Sequence, residues 1–167
     1  MAGGKKLDKR IKRIKMILFD VDGVMSDGGI YYSADGLELK RFNVQDGYGV
    51  ARAREHGLKI GMVSGRSTPI VETRAKELNV EDLFQDVADK LVVVPEIQRR
   101  HGLSEEEIAF MGDDLFDLPL LRAVGFSAAP RNARSEVKKA VDYVTRAEGG
   151  HGAVRELIDL ILKHHLE

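Results

Sequence analysis

The chain has 167 residues, with 26 Lys or Arg against 27 Asp or Glu, and it contains no cysteine. This length predicts one domain with a substantial core, and the near-neutral charge gives no reason to expect nucleic acid or a membrane surface as a partner. The lack of cysteine excludes disulfides and thiolate catalysis. Because no segment reaches the length of a membrane span and the first residues lack the apolar core of a secretory signal, we expect a cytoplasmic protein.

Residues 1–14 are interpreted as a basic leader, followed by a single domain over residues 15–167. Lysine and arginine are concentrated between Lys5 and Lys15. Such a cluster predicts a solvated segment or a short helix rather than a binding arm. The leader is therefore assigned no function.

The first strand is predicted at the apolar run Met16–Phe19, whose composition is typical of a strand buried on both faces. It ends at two carboxylates one residue apart, Asp20 and Asp22, followed by Gly23. Ligands bind at the carboxyl ends of parallel strands, so both side chains are expected to project into a crevice. The alternative at this point is a solvated Asp-x-Asp-Gly turn, because Asp and Gly are common turn residues.

A β-hairpin is predicted after this strand. Two β-rich runs, at residues 28–33 and 37–42, flank the turn signal Ala34-Asp35-Gly36. We therefore expect two antiparallel strands between the aspartate pair and the first long helix.

Beyond the hairpin, the sequence alternates between strand and helix patterns. Further strands are predicted at residues 59–63, 83–87, 108–111, 125–130 and 142–145. Helices are predicted from Asp46 as N-cap to Gly57, from Thr68 as N-cap onward, from Lys90 to Gly102, and over the apolar positions 154–162 after a glycine-rich joint at 149–152. This alternation predicts an α/β fold, in which a parallel sheet carries helices on both faces.

The candidate functional residues lie where the predicted strands end. Asp20, Asp22, Ser64 and Asp113 each follow a strand, and Lys90 opens the helix after another. One edge of one sheet can gather all five. Taken singly, Ser64 is also explained as a cap, Lys90 as solvated surface and Asp113 as part of a turn, but their joint placement favours a site.

These groups suit phosphoryl transfer better than acyl transfer, since the set contains no imidazole or thiol. Mg²⁺ prefers oxygen ligands, which Asp20 and Asp113 supply. Asp20 is the candidate nucleophile, forming an aspartyl-phosphate, and Asp22 is the candidate acid that protonates the leaving oxygen and then deprotonates water. Lys90 and Ser64 are candidate donors to the phosphoryl oxygens.

Four motifs in this order resemble those of the haloacid dehalogenase superfamily of phosphohydrolases. They are Asp20-Val21-Asp22-Gly23 after a hydrophobic strand, Ser64 at the end of another strand, Lys90 at the start of a helix, and the acidic stretch 112–117. The resemblance implies a Rossmann-like three-layer parallel sheet with the β-hairpin in place of a cap domain. It assigns Mg²⁺ to Asp20, Asp22 and Asp113, with Asp117 as a supporting carboxylate.

Three further segments, residues 42–49, 63–66 and 149–156, resemble the 3-deoxy-D-manno-octulosonate 8-phosphate phosphatases of that superfamily. This closer resemblance implies hydrolysis of the sugar-acid phosphate to the free acid and phosphate, in lipopolysaccharide biosynthesis, by a homotetramer. Two departures are His151, where the family usually has Arg, and the stretch 129–132, which lacks the family's more usual acidic residues.

Substrate contacts are assigned to Asp27, Gly65 and Arg66. Arg66 is the candidate reader of the substrate carboxylate, because it follows Ser64 by two residues and a guanidinium binds a carboxylate through two parallel hydrogen bonds. The alternative is a surface arginine paired with a nearby carboxylate.

No cap domain fits between Gly23 and Ser64 or between Lys90 and Asp113. A neighbouring subunit is therefore expected to cover the active site, with hairpins of different copies paired at their edges. The alternative is a hairpin folded back on its own domain. The joint at 149–152 also has two interpretations: a hinge that closes the tail over substrate, and a plain connection to a packed helix.

Two other functions are left open by the sequence. A receiver-like signalling domain also gathers carboxylates, a hydroxyl and a lysine at a sheet edge, but receivers carry an adjacent acidic pair after the first strand, whereas this chain has Asp-x-Asp-Gly there. A phosphatase acting on a nine-carbon sugar-acid phosphate would share the reaction motifs and differ only in its substrate pocket.

Overall fold

A sheet of six parallel strands lies at the centre of the structure, a computed structural model that describes the backbone of residues 2–166 and the side chains of residues 7–166. In chain order the strands are β1 (Met16–Asp20), the hairpin strands β2 (Tyr31–Tyr32) and β3 (Glu38–Leu39), then β4 (Lys59–Val63), β5 (Asp82–Phe84), β6 (Ile108–Met111), β7 (Phe126–Ala129) and β8 (Tyr143–Val144). The spatial order in the sheet is β5-β4-β1-β6-β7-β8, and each neighbouring pair is parallel. The predicted α/β fold is confirmed.

Helices cover both faces of this sheet. They are α1 (Ala2–Ile11), α2 (Val44–Glu55), α3 (Pro69–Glu77), α4 (Val93–His101), α5 (Leu118–Ala123), α6 (Ser135–Ala140) and α7 (Ala153–Leu166). Buried apolar side chains of α1, α2, α3 and α7 form the core on one face, and those of α4, α5 and α6 form the core on the other. In the described part of the chain, none of the helices has the length and apolar character needed to cross a membrane.

Strand β1 is buried along its whole length, because parallel strands pair with both of its edges and helices pack on both of its faces. Ile17 and Phe19 point into one core, while Met16 and Leu18 point into the other. The strand therefore delivers Asp20 to a position where only 2% of the residue is exposed. A carboxylate in such a place is costly unless a cation or hydrogen-bond donors compensate it.

The predicted basic leader packs against the domain through its last residues. Ile11 and Ile14 are buried in the same core as α7, and Arg10 donates two hydrogen bonds to the carboxylate of Asp142. The leader's side chains at positions 1–6 lie outside the described residues. The end of the leader is thus part of the hydrophobic core.

The predicted hairpin is confirmed, with shorter strands than expected. β2 and β3 pair antiparallel, with Tyr31 opposite Leu39 and Tyr32 opposite Glu38. Its apolar side chains are between 45% and 65% exposed: Ile30, Tyr31, Tyr32, Leu37 and Leu39. The chain's own domain therefore does not cover them.

The predicted N-cap of α2 is wrong by three residues. Asn43 has extended backbone, and its side chain accepts a hydrogen bond from the N–H of Gln45 at 2.8 Å, so it is the N-cap. Asp46 lies in the first turn and accepts hydrogen bonds from the N–H groups of Gly152 and Arg155. Asp46 therefore caps the start of α7 instead of its own helix.

Element boundaries near the strand ends differ in detail from those predicted. Thr68 caps α3 as expected. Strand β5 ends at Phe84 rather than at Val87, because Asp86 has a φ of +58°, which an extended strand does not accommodate. A single 3₁₀ turn over Lys90–Val92 precedes α4.

Candidate active site

The residues singled out from the sequence lie along one edge of the sheet. Asp20 ends β1, Ser64 directly follows β4, and Asp113 follows β6 after one glycine. Lys90 enters from the 3₁₀ turn before α4. A cleft of about 480 Å³ opens at this edge, and its lining includes Asp20, Asp22, Gly65, Arg66 and Asp113.

Lys90 is a fully buried cation at the base of this cleft. Its Nζ donates a hydrogen bond to Asp20 Oδ1 and another, 2.6 Å long, to Asp117 Oδ1. Burial lowers the pKa of Lys90, but the carboxylates of Asp20 and Asp117 outweigh that effect and raise it above the usual value. Lys90 therefore stays charged and fixes the orientation of the Asp20 carboxylate.

Asp117 connects Lys90 to the loop that carries Asp113. Its Oδ2 accepts hydrogen bonds from the N–H groups of Asp113 at 2.9 Å and Asp114 at 3.1 Å. Gly112 makes this contact possible, since a Cβ at that position would lie 2.6 Å from the Asp117 Cβ. The supporting role predicted for Asp117 thus corresponds to a hydrogen-bonded frame beneath Asp113.

Three carboxylates of the site are close enough to bind one metal ion together. One oxygen from each of Asp20, Asp113 and Asp117 lies within 4.8 Å of the other two. Asp20 Oδ2 and Asp113 Oδ1 are buried without a hydrogen-bond partner, and burial raises the pKa of Asp20 well above its usual range and that of Asp113 to about 6. A divalent cation bound here would pair with the unpartnered oxygens and favour the ionised form of both acids. A donor set made only of oxygens suits Mg²⁺.

The side chain of Asp22 is not in this group of carboxylates. The main chain leaves β1 through a kinked turn, Val21–Met25, in which Gly23 has a φ of +91°. The Asp22 carboxylate accepts a hydrogen bond from Lys40 and lies 3.9 Å from Arg66 Nη1. Asp22 therefore faces the cleft next to the carboxylate cluster, and its side chain is not among the oxygens that could share one ion.

Ser64 and Arg66 share the loop after β4. Ser64 is 2% exposed, and its Oγ accepts a hydrogen bond from the N–H of Arg66 at 3.1 Å. A hydroxyl that accepts in this way can still donate its own hydrogen to a ligand. The Arg66 guanidinium is paired with Glu38 of the hairpin, with Nη1–Oε1 and Nη2–Oε2 distances of 3.0 Å.

Asp27 lies at the base of the hairpin, next to the cleft residue Gly28. Its carboxylate accepts hydrogen bonds from the Tyr31 hydroxyl at 2.6 Å and from the N–H of Gly29 at 2.9 Å. The hydrogen bond from Tyr31 lowers the pKa of Asp27. Both carboxylate oxygens of Asp27 thus fix the conformation of the chain at the base of the hairpin.

The glycine-rich joint packs directly on the loop after β1. The N–H of Gly150 donates to the Val24 carbonyl oxygen at 2.9 Å, and a Cβ at Gly149 would overlap the Gly23 carbonyl group. His151, the next residue, is exposed. The joint is packed in this structure, and closure of the tail over substrate stays a prediction.

Two hairpin residues that were not singled out from the sequence reach the site, Glu38 and Lys40. They flank the exposed Leu39, so their side chains leave the strand on the same face. The sequence does contain a signal, charged residues at i and i+2 on either side of an apolar one. It does not reveal that this face meets the residues after β1 and β4.

Comparisons with known proteins agree with this geometry. The family model for haloacid dehalogenase-like hydrolases matches residues 80–157. Over 153 residues the chain is 40% identical to the 3-deoxy-D-manno-octulosonate 8-phosphate phosphatase KdsC of Escherichia coli K12, an alignment that covers 92% of this chain and 81% of that protein. The chain belongs to the KdsC family of haloacid dehalogenase-like hydrolases.

Solved structures support the placement in the KdsC family. A probable YrbI family phosphatase from Pseudomonas syringae is 46% identical, with a TM-score of 0.93 and coverage of 96% of this chain and 92% of that chain. The 3-deoxy-D-manno-octulosonate 8-phosphate phosphatase of Moraxella catarrhalis, solved with a magnesium ion, a phosphate ion and a KDO molecule, is 38% identical, with a TM-score of 0.94 and coverage of 97% and 93%. Membership in the KdsC family confirms the predicted resemblance and argues against the receiver-like alternative.

We predict that Gly23→Ala will weaken Mg²⁺ binding at least about tenfold, the scale expected when the support of a metal ligand is lost. A Cβ at Gly23 would overlap the Asp113 carboxylate, which belongs to the candidate metal cluster. Isothermal titration calorimetry with Mg²⁺ measures this effect.

Gly57→Ala is the matched control, because Gly57 also has a positive φ, +81°, but has no atom within 4 Å of the added Cβ. It should lose stability on the order of 1 kcal/mol through backbone strain alone and should bind Mg²⁺ normally. Normal Mg²⁺ affinity in Gly23→Ala would contradict the assignment of Asp113 to the metal cluster.

Proposed function

We propose that this protein is a Mg²⁺-dependent phosphomonoester hydrolase that converts 3-deoxy-D-manno-octulosonate 8-phosphate to 3-deoxy-D-manno-octulosonate and phosphate, in lipopolysaccharide biosynthesis. The observation that carries the proposal is the buried carboxylate of Asp20, held by Lys90 through one oxygen and without a hydrogen-bond partner at the other. Its KdsC relatives and the KDO complex of the Moraxella enzyme support the choice of substrate.

Asp20 is the nucleophile of this proposal. Lys90 orients the carboxylate through Oδ1, and this carboxylate attacks phosphorus. The P–O bond to the sugar breaks as the Asp20–phosphorus bond forms, which gives an aspartyl-phosphate and splits the reaction into two displacements. Water then attacks the phosphorus and releases phosphate and the original carboxylate.

Asp22 transfers the protons in both steps. It lies two residues after the nucleophile, at the wall of the same cleft and outside the carboxylate cluster. A proton from Asp22 goes to the leaving oxygen in the first displacement, and the carboxylate so formed takes a proton from water in the second.

Ser64 and Lys90 are the proposed hydrogen-bond donors to the phosphoryl oxygens. The Ser64 hydroxyl keeps a hydrogen to donate, and an ammonium group has three N–H donors, of which Lys90 directs two to carboxylates. Donors fixed in place before the reaction stabilise the charge that develops in the transition state.

Mg²⁺ is the cofactor that fits this donor set. Asp20 and Asp113 hold it, with Asp117 as the third carboxylate of the cluster, while Asp22 does not reach the cluster through its side chain. Bound there, the ion neutralises the carboxylates and the charge on the phosphoryl group.

Arg66 is the proposed reader of the substrate carboxylate, with Gly65 and Asp27 as further contacts. Arg66 and Gly65 line the cleft, and Asp27 holds the hairpin base beside it. The guanidinium is already paired with Glu38, so a substrate carboxylate has to share or replace that partner.

The enzyme is also proposed to work as a homotetramer with shared active sites, in the cytoplasm. The cytoplasmic location rests on the sequence alone. The assembly is supported by two sets of exposed apolar side chains, those of the hairpin and those of the rim, defined as the residues that directly follow Lys90 and Asp114: Leu91, Val92, Leu115 and Phe116. A neighbouring hairpin placed over the rim would bury both sets and exclude water from the cleft.

We predict that Asp20→Asn will lower turnover at least about 1,000-fold, because the amide removes the nucleophile of the covalent route. Hydrolysis of the sugar-acid phosphate, followed by phosphate release, is the measurement. Circular dichroism checks that the variant is folded, and EDTA should stop the wild-type enzyme until Mg²⁺ is restored.

Asp8→Asn, which changes an aspartate far from the cleft, is the control and should keep full activity. Turnover of Asp20→Asn within tenfold of wild type would refute the assignment of Asp20 as the nucleophile. A panel that includes nine-carbon sugar-acid phosphates tests the substrate separately. A higher rate on one of them than on 3-deoxy-D-manno-octulosonate 8-phosphate would change the proposed substrate but not the proposed reaction.

We predict that Tyr32→Glu combined with Leu39→Glu will lower both the oligomer mass and the turnover of the sugar-acid phosphate. Charges on the exposed hairpin faces oppose burial against another subunit. Light scattering and kinetics on the same samples measure the two effects.

Leu166→Glu introduces a charge at an exposed leucine of α7, 67% exposed and outside the hairpin and the rim, and should change neither property. A folded monomer of the hairpin variant with full activity on the sugar-acid phosphate would rule out shared active sites.

A further inference from the structure

We infer that Lys40, directly after hairpin strand β3, is a positioning residue that holds the Asp22 carboxylate in place for proton transfer. The inference rests on the phosphatase function proposed above and adds to it a role for the hairpin within its own subunit.

Lys40 is enclosed although the hairpin around it is exposed. Only 1% of its side chain is accessible, whereas the flanking Leu39 is 57% exposed. A buried ammonium is stable only when it is paired and hydrogen-bonded. Its Nζ donates a hydrogen bond to Asp22 Oδ1 and lies 3.8 Å from Glu38 Oε1.

Asp22 depends on this contact for its orientation. It lies in the kinked turn Val21–Met25, and 29% of its side chain is exposed. Among the described residues, Lys40 alone donates a side-chain hydrogen bond to it, because Arg66 Nη1 is 3.9 Å away. Proton transfer needs the carboxyl group within hydrogen-bond reach of the leaving oxygen, so losing its anchor should slow catalysis.

Glu38 shows why Lys40 points inward. Residues i and i+2 of a strand share a face, and on this face Glu38 pairs with Arg66 while Lys40 pairs with Asp22. Opposite charges thus alternate across four side chains from three segments: Asp22 after β1, Glu38 and Lys40 on either side of Leu39 in the hairpin, and Arg66 after β4. The hairpin is fixed to the catalytic loops by charge, whatever its apolar faces contact.

A different role for Lys40 would be direct binding of the substrate carboxylate. The two roles differ in kinetics. A substrate ligand raises KM when it is removed, whereas a residue that orients Asp22 lowers kcat and becomes dispensable once Asp22 cannot transfer a proton.

The test is a double-mutant cycle of Lys40→Met and Asp22→Asn, with Lys40→Arg as the conservative variant and Lys76→Met as the control at an exposed lysine of α3. Each protein is assayed on 3-deoxy-D-manno-octulosonate 8-phosphate and on p-nitrophenyl phosphate. Light scattering confirms that the oligomer mass is unchanged.

Lys40→Met should lower kcat on the sugar-acid phosphate at least about 30-fold, because a general acid–base contributes about 100- to 10,000-fold and a misplaced one loses much of that contribution, with KM changed less than about threefold. On p-nitrophenyl phosphate, whose leaving group needs no proton, the first step should survive and give a burst of one nitrophenolate per site. Lys40→Arg should restore most of kcat, and Lys76→Met should match wild type.

In the Asp22→Asn background, Lys40→Met should change kcat less than about threefold, because coupled residues are not additive. The inference is overturned if Lys40→Met keeps kcat within threefold of wild type, raises only KM, or costs the same factor in both backgrounds. If Lys40→Met alters the mass, Lys40→Gln goes through the same cycle under the same criteria.

Wild-type activity in the same series separates this inference from the proposed function. A wild-type enzyme that hydrolyses neither ester counts against the proposed function. A wild-type enzyme that is active and sensitive to EDTA, together with an unaffected Lys40→Met, counts against the role of Lys40 alone.

Discussion

Three carboxylates and one ammonium are held together at the carboxyl edge of the sheet, and this imbalance of charge governs the site. Lys90 compensates one of the three, while Asp20 and Asp113 each keep a buried oxygen without a partner. Burial raises the pKa of both, so ionising these two groups costs free energy that a bound cation would offset. One divalent cation would balance the two remaining negative charges. A cation bound there could then assist phosphoryl transfer.

The elements around the cleft are arranged to hold these charges in place. Gly23 lets the chain turn beside Asp113, where a side chain would overlap the carboxylate. The hairpin brings Lys40 to Asp22, so the proposed nucleophile and the proposed proton-transfer group have separate cations and separate surroundings. Asp20 lies in the carboxylate group that could share a metal ion, while Asp22 lines the cleft outside that group. The same hairpin carries the exposed apolar side chains proposed to meet another subunit, which joins assembly and catalysis in one element.

The strands, the order of the motifs and the caps that depend on neighbouring residues could be predicted from the sequence, as Thr68 illustrates. Contacts between distant segments could not. Asp46 has the features of an N-cap, yet its carboxylate reaches α7, because packing between helices decides which N–H groups it meets. Lys40 was missed for the same reason, since its partner lies 18 positions away in sequence. The resemblance assigned Asp22 to the metal set as well; in the structure its side chain, in the turn that contains Gly23, is not in the group of carboxylates that could share one ion.

The most direct measurement of the central claim is chemical trapping of the phosphorylated enzyme. The protein is mixed with substrate and Mg²⁺, quenched in acid and treated with borohydride, which reduces an aspartyl-phosphate to homoserine, and the modified peptide is located by mass spectrometry. The account predicts modification at Asp20, increased in Asp22→Asn when p-nitrophenyl phosphate is the substrate, because its leaving group needs no proton while hydrolysis of the intermediate is slowed. Modification at another carboxylate, or complete turnover with Asp20 never modified, would contradict it.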